Sequence, residues 1–221
     1  MDERLKFLPF ENWVKFIFAH EAGGPQWYFE PNAPYWDGPP DLTVGYITKL
    51  FEDPLTILSG YSNEQLNQGF WYLVSNGASD MMFALNDEAV PLGERIRCLK
   101  SFRLLFERVF AARCSPHLSH CDEPGGRPLN SACYMWWDLF PLCPQPGSQE
   151  VIGNTSLEVM AEILALDSLA CQESALHGLG HWQRAYPKEV QQIIDRFLDA
   201  NKNLRPELAA YARSARTGCV L

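Results

Sequence analysis

The sequence has no long hydrophobic run. No stretch approaches the roughly 18 consecutive apolar residues that are needed to span a bilayer. The first residues, MDERLKFLPFENW, carry two acids before any apolar segment, whereas a secretory signal begins with a basic region followed by an apolar core. We therefore expect neither a standard signal nor a membrane-spanning segment, and the sequence predicts a cytoplasmic protein with no membrane partner.

An even set of cysteines is also lacking. The chain has seven, at positions 98, 114, 121, 133, 143, 171 and 219. An odd number at scattered spacings is more typical of thiols in a reducing compartment than of a disulfide framework. The cysteines are therefore predicted to be free thiols.

Basic residues are scarce in the first 90 positions. This part has 4 Lys and Arg against 13 Asp and Glu, whereas residues 91–221 have 14 of each. The whole formal net charge of −9 thus comes from the N-terminal part, which also holds 17 of the 28 aromatic residues. Because a negative potential repels nucleic acid and attracts basic proteins, we predict a basic protein partner and no nucleic acid.

The sequence contains no alternating strand pattern between turns, no G-x-S-x-G elbow, no P-loop and no G-x-G-x-x-G segment. These absences disfavour a sheet and the nucleophile and nucleotide sites that a sheet supports. We therefore predict an all-α fold in a single domain, 1–221. It divides into an acidic, aromatic-rich helical part (1–90) and a charge-balanced helical stack (91–221).

Apolar residues recur at helical spacing along most of the chain. Ser62 and Gln65 form a capping box at the start of one predicted helix, Pro91 lies in the first turn of the longest, PLGERIRCLKSFRLLFERVFAAR, and TSLE is predicted to cap LEVMAEILAL. Prolines and glycines keep 21–41 and 114–130 irregular.

The C-terminal third carries a resemblance. SALHGLGHWQRAYPKEVQQIIDRFL is two helices joined by a Pro turn, and it resembles a HEAT-like repeat pair capped by PELAAYARSARTGCVL. MWWDLFP followed by ALHGLGHW is also similar to a group of bacterial helical proteins with no assigned activity. The resemblance implies a HEAT-like right-handed stack of antiparallel helix pairs over 154–221. The composition of 1–90 predicts an irregular, aromatic-rich N-terminal helical layer beside it.

ALHGLGHW places two histidines four positions apart, about 40° from each other around a helix. Glu173 extends this stripe, so Glu173, His177 and His181 are candidate metal ligands. A zinc protease needs Glu directly after the first histidine, and Gly178 stands there instead. Because Gly178 and Gly180 lie inside the predicted helix, we favour an interpretation in which the histidines pack against a close neighbouring helix.

CSPHLSHC offers a second metal-like cluster: Cys114, His117, His120 and Cys121. Zinc sites usually pair two such knuckles, and the second pair could only be Cys133 and Cys143, which lie ten residues apart. A structural zinc therefore remains the alternative to thiols and histidines in a surface loop.

The segment WYFEPNAPYWDGPPD alternates aromatic rings with carboxylates and has no basic residue. Aromatic anchors surrounded by acids are typical of a surface that binds a basic protein. The predicted partner-binding residues are Trp27, Tyr28, Glu30, Tyr35, Trp36, Asp37 and Asp41. The alternative is a loop that folds back and buries its rings.

Taken together, these patterns predict a non-catalytic module, without a cofactor, that binds a basic protein, such as an immunity or antitoxin-like neutraliser. Two alternatives stay open. One is a metal-dependent hydrolase that uses Glu173, His177 and His181 or the Cys114 to Cys121 cluster, and the other is a scaffold protein with a structural zinc in that cluster.

Overall fold

Helices make up most of the chain in the computed structural model, which describes residues 4–141 and 148–220. The helices are α1 (Phe10–Phe18), α2 (Pro40–Glu52), α3 (Pro54–Ile57), α4 (Asn63–Val74), α5 (Leu92–Leu105), α6 (Ala111–Arg113), α7 (Pro128–Leu139), α8 (Ser148–Leu164), α9 (Leu169–Trp182), α10 (Pro187–Ala200) and α11 (Pro206–Ala215). Short 3₁₀ turns cover Trp27–Phe29, Met81–Asn86 and Ser119–Cys121. The predicted helical fold is confirmed at this level.

Two strands of two residues each depart from the helical prediction. β1 (Arg4–Leu5) pairs in parallel with β2 (Tyr35–Trp36). Asp37 extends the pairing, since its N–H donates to the carbonyl of Leu5 over 2.9 Å. The pairing ties the irregular segment before α2 to the start of the chain.

The capping box before α4 is confirmed. Ser62 Oγ accepts the N–H of Gln65 over 3.3 Å, and Gln65 Oε1 accepts the N–H of Ser62 over 3.0 Å. These two bonds satisfy backbone donors that the first turn of a helix leaves without partners.

The longest predicted helix is interrupted in its register. It begins at Leu92, with Pro91 as its N-cap, and it passes from α5 through a π-helical turn, Phe106–Phe110, into α6. A π turn adds one residue to the ring that each hydrogen bond closes. Phe106 and Phe110 are both fully buried at this turn.

The start predicted at TSLE for the helix LEVMAEILAL is wrong. α8 begins at Ser148, so both hydroxyl residues of TSLE lie inside it. Thr155 Oγ1 donates to the carbonyl of Val151 over 2.8 Å, and Ser156 Oγ donates to that of Ile152 over 3.0 Å. The hydroxyls therefore bond back to the preceding helical turn and cap nothing.

A single cluster of buried hydrophobic side chains extends from Phe10 to Val220. At its centre α7 packs on α4 and α9, α5 packs on α2 and α8, and α9 also contacts α8, α10 and α11. No helix in the described residues is both long and apolar enough to cross a membrane. The aromatic-rich and charge-balanced parts of the chain thus share one core.

Candidate metal centre

The close packing of α7 on α9 brings together three side chains that the sequence separates. A Cβ atom added at Gly178 would lie 2.5 Å from Cβ of Trp137, so only glycine allows α7 to approach this closely. Asp138, the residue after Trp137, consequently lies beside His177 and His181 on α9. This confirms that a neighbouring helix requires the glycine.

The three ligand atoms have the spacing of a small metal site. His181 Nε2 lies 3.1 Å from His177 Nε2 and 3.2 Å from Asp138 Oδ1, and all three atoms lie within 4.8 Å of one another. Zinc bonds of about 2.0–2.1 Å place neighbouring tetrahedral ligands about 3.4 Å apart. The two short distances are therefore close to the edges of a zinc tetrahedron.

Solvent reaches the site from one side. His177 is 4% exposed, whereas the side chains of His181 and Asp138 are 37% and 35% exposed. Three protein ligands with an open fourth position are the arrangement found in catalytic zinc sites, whereas structural zinc sites are closed by four. If these three side chains held a zinc ion, its fourth position would be open to water.

Tyr211, on α11, fixes the orientation of the buried histidine. Its hydroxyl lies 2.6 Å from His177 Nδ1 and 3.3 Å from the hydroxyl of Tyr134, whose ring is 4.4 Å from the imidazole. Burial, followed by the nearby charges of His181 and His120, lowers the pKa of His177 to about 4. The imidazole is thus neutral at pH 7, and its Nε2 faces the site.

Glu173 is not part of this group. It lies on the same helix, but the rise of about 1.5 Å per residue puts it roughly 12 Å from His181 along the axis. Its buried carboxylate turns toward the Ser119–Cys121 turn and accepts the N–H of Ser119 over 3.0 Å and that of His120 over 2.9 Å. Asp138 takes the place that the sequence analysis gave to Glu173.

The four residues of CSPHLSHC do not converge. Cys114 is buried in the core, and His117 Nδ1 bonds to Ser115 Oγ over 2.7 Å. His120 faces Glu173, and Cys121 is exposed. Within 4–141 and 148–220, the group of Asp138, His177 and His181 is the one set of three or more His, Cys, Asp or Glu residues whose ligand atoms all lie within 4.8 Å of one another. Cys143 lies outside the described residues.

The predicted partner-binding segment is largely folded back. Trp27 stacks on the imidazole of His20 with a centroid distance of 4.0 Å, and Trp36 Nε1 donates to Thr43 Oγ1 over 2.8 Å. Both indoles are buried, so neither ring is presented to a partner. Tyr28 and Tyr35 are half-buried, while Glu30, Asp37 and Asp41 are exposed.

The sequence analysis missed Asp138 and Tyr211. Asp138 is the one charged residue of α7, whose segment PLNSACYMWWDL is otherwise apolar or neutral. A single carboxylate on a helix with a buried face is a signal that sequence reading could have used. Tyr211 gives no such signal, because only the packing of α11 on α9 places it beside His177.

Comparisons of the chain with protein families, with curated proteins and with solved structures find no significant match. The geometry of the site is therefore the basis for a proposed function.

Proposed function

We propose that Asp138, His177 and His181 bind one divalent metal ion of zinc type and that the protein is a metal-dependent hydrolase. The observation that carries this proposal is the pair of distances from His181 Nε2, 3.1 Å to His177 Nε2 and 3.2 Å to Asp138 Oδ1. When bound at such a site, zinc lowers the pKa of a coordinated water to about 7 and supplies a hydroxide nucleophile.

The surroundings of the histidine pair support the proposal. A histidine that binds metal through Nε2 usually donates its other N–H to a fixed acceptor, which sets the tautomer and the ring orientation. The Tyr211 hydroxyl, 2.6 Å from His177 Nδ1, can act as that acceptor. The Nε2 lone pair of His177 is then directed at the same point as Asp138 and His181.

The competing interpretation is packing without metal, which the sequence analysis favoured. With the His177 proton on Nδ1, His177 Nε2 and Asp138 Oδ1 are both acceptors, at 3.1 and 3.2 Å from His181 Nε2. That nitrogen carries at most one proton, which the two acceptors must share. A bound cation would be shared by all three atoms without this competition.

Metal analysis tests the proposal. Protein purified without chelator is measured for bound metal by mass spectrometry, and the stripped protein is then titrated with Zn²⁺ against a chromophoric chelator. We expect about one ion per chain in the wild type. His181→Ala and Asp138→Ala, both at partly exposed positions, lose it, whereas His117→Ala retains it. A wild type that neither contains nor binds metal would overturn the proposal, as would loss of the ion with His117→Ala.

Hydrolysis is tested separately from binding. The zinc-loaded protein is assayed against ester, phosphoester and peptide substrates with His181→Ala as the control. We expect one substrate class to be cleaved by the wild type and by none of the ligand variants. Stoichiometric zinc with no hydrolysis of any class would retain the metal site and refute the hydrolase.

A second candidate function is binding of a basic protein, for which the sequence analysis suggested an immunity or antitoxin-like role. A cavity of about 410 Å³ supports it, since Tyr35, Asp37, Asp80 and Asp87 line it. The Asp37 carboxylate already forms ion pairs with Arg4 and Lys6 of the same chain, at 4.0 and 3.9 Å. Salt-dependent binding of polylysine that Asp80→Asn with Asp87→Asn weakens would favour this function.

The control for that experiment is Glu158→Gln with Glu189→Gln, which removes two carboxylates from the groove between α8 and α10. Equal weakening by both double variants would show that the net charge of the protein alone accounts for the binding. It would then give no support to a specific acidic surface.

The finer architecture and the location also belong to the proposal. We infer that 154–221 is a HEAT-like stack, which is supported by the contacts of α10 with α9 and α11. A cytoplasmic location is supported by the six described cysteines, all of which are free thiols.

A further inference from the structure

A second group of reactive side chains lies against the ring of Tyr211, whose hydroxyl contacts His177. Cys121 Sγ is 3.2 Å from His120 Nε2, and His120 Nδ1 is 2.6 Å from Glu173 Oε1. The His120 ring stacks on Tyr211 with centroids 4.0 Å apart. A thiol, an imidazole and a carboxylate therefore stand in line, each within reach of the next.

From this geometry we propose that Cys121 is a nucleophile for acyl transfer, with His120 as its general base and Glu173 as the residue that positions the base. A nucleophile in contact with a base that a third group orients is the recurring arrangement of covalent catalysis. The site uses none of the proposed metal ligands, so it goes beyond the metal-dependent function.

Glu173 determines which nitrogen of His120 is free. The carboxylate is 1% exposed. It accepts hydrogen bonds from the backbone N–H groups of Ser119 and His120 and contacts the His120 imidazole. An ionised carboxylate can only accept, so the ring proton of His120 is assigned to Nδ1. His120 Nε2 consequently has a lone pair directed at Cys121 Sγ.

The surroundings of Cys121 require such a base. Partial loss of hydration at the turn, followed by the negative charges of Glu123, Glu173 and Glu207, raises the pKa of the Cys121 thiol, and Arg205 opposes this shift. The sulfur is therefore a thiol at neutral pH, and its proton must be removed as it attacks. Cys121 is exposed, and Asp122, at a left-handed φ of 51°, turns the chain directly after it.

An activated ester would be hydrolysed in two steps, through a thioester on Cys121. The Cys121 sulfur forms a bond to the carbonyl carbon while its proton moves to His120 Nε2. The carbon to oxygen bond of the ester breaks, and the leaving oxygen takes that proton from His120. Water then attacks the thioester, His120 removes a proton from the water, and Cys121 sulfur leaves and recovers it.

Acylation by p-nitrophenyl acetate tests this proposal, and Cys219, the other exposed thiol among the described cysteines, is the matched control within the same chain. The reaction is run in EDTA, so its outcome is independent of the metal proposal. Acetylated peptides are quantified by mass spectrometry. We expect Cys121 to be acetylated at least about ten-fold faster than Cys219, because a positioned base increases the rate of attack.

A variant isolates the base. His120→Asn retains an amide N–H for Glu173 but has no basic nitrogen, and we expect it to bring the rate at Cys121 down to that at Cys219. Thermal unfolding of this variant checks that it folds. Equal acetylation of Cys121 and Cys219 in the wild type would overturn the proposal without reference to any variant. A folded His120→Asn protein with an unchanged rate at Cys121 would do the same.

Discussion

Tyr211 connects the two proposed sites at the scale of single residues. Its hydroxyl contacts His177 and Tyr134, and its ring stacks on His120. Burial raises the pKa of Tyr211 far above its ordinary value, with a further contribution from Tyr134. The side chain is therefore a neutral phenol at any working pH and can orient the imidazole of His177 without adding a charge.

Removing that hydroxyl should weaken the metal site without destroying it. We expect Tyr211→Phe to raise the dissociation constant for Zn²⁺ by about 10-fold or more, because an outer hydrogen bond fixes the orientation of a ligand. Competition with a chromophoric chelator measures the change. Tyr186→Phe, which removes the hydroxyl that lies beside Gly153 of α8, is the control and should leave the constant unchanged. Equal affinities for Tyr211→Phe and wild type would show that the bond has no such role.

The buried histidine also makes a prediction about acid stability in metal-free protein. The pKa of His177 is about 4 in the folded chain and about 6.5 when unfolded. As the pH falls, the imidazole is protonated in the unfolded chain before it is protonated in the folded chain. The contribution of His177 to the free energy of unfolding is therefore complete above pH 6.5 and is lost as the pH is lowered toward 4.

Urea unfolding in EDTA measures this effect. Between pH 7.5 and pH 5, we expect the wild type to lose about 1–2 kcal/mol more of its free energy of unfolding than His177→Gln does. The variant carries the same carboxylates, so their titration cancels in the comparison. Parallel pH profiles for the two proteins would contradict the assigned burial of a neutral imidazole.

At the scale of helices and turns, periodicity and capping determined much of what formed. The capping box of Ser62 and Gln65 is present as predicted. The start of α8 was wrong because Thr155 and Ser156 bond to carbonyls of their own helix. A hydroxyl near an apolar run predicts a helix start only when its backbone partners are free, and the sequence does not show which are.

The α7–α9 contact gives a prediction about glycine. Alanine at position 178 would meet Trp137 and, at 2.8 Å, the sulfur of Met160. We expect Gly178→Ala to lower the free energy of unfolding by about 2 kcal/mol, as overpacking outweighs the gain in helix propensity. Gly45→Ala is the matched control, because Gly45 is exposed in α2 with open space around it. It should stabilise the protein by up to about 1 kcal/mol. Stabilisation by both would refute the close contact.

For the whole molecule, one aromatic cluster joins the acidic N-terminal part to the remainder. Trp136 on α7 lies within 6.0 Å, centroid to centroid, of Phe51, Phe70, Phe102 and Phe110, which come from α2, α4, α5 and the π turn. Elements from both sides of position 90 thus bury their rings on the same indole. The arrangement favours unfolding as one unit.

Replacing that indole should weaken both parts together. We expect Trp136→Leu to lower the free energy of unfolding by about 3 kcal/mol while unfolding remains a single transition. The indole N–H has no hydrogen-bond partner among the described residues, so the loss is one of packing. Trp71→Leu, at a half-buried position, is the control and should lose less. Two separate transitions in circular dichroism and fluorescence would contradict a shared core.

The sequence by itself determined the helical class, the excess of acid in the first 90 residues and the need for glycine at position 178. These follow from local periodicity, from composition and from the known cost of glycine inside a helix. Only the tertiary structure decided that Asp138 joins His177 and His181, that Glu173 turns to His120, and that Trp27 and Trp36 are buried. Spacing along one helix fixes a stripe, but a site needs side chains from several elements, and the packing of α7 and α11 on α9 determines which of them meet.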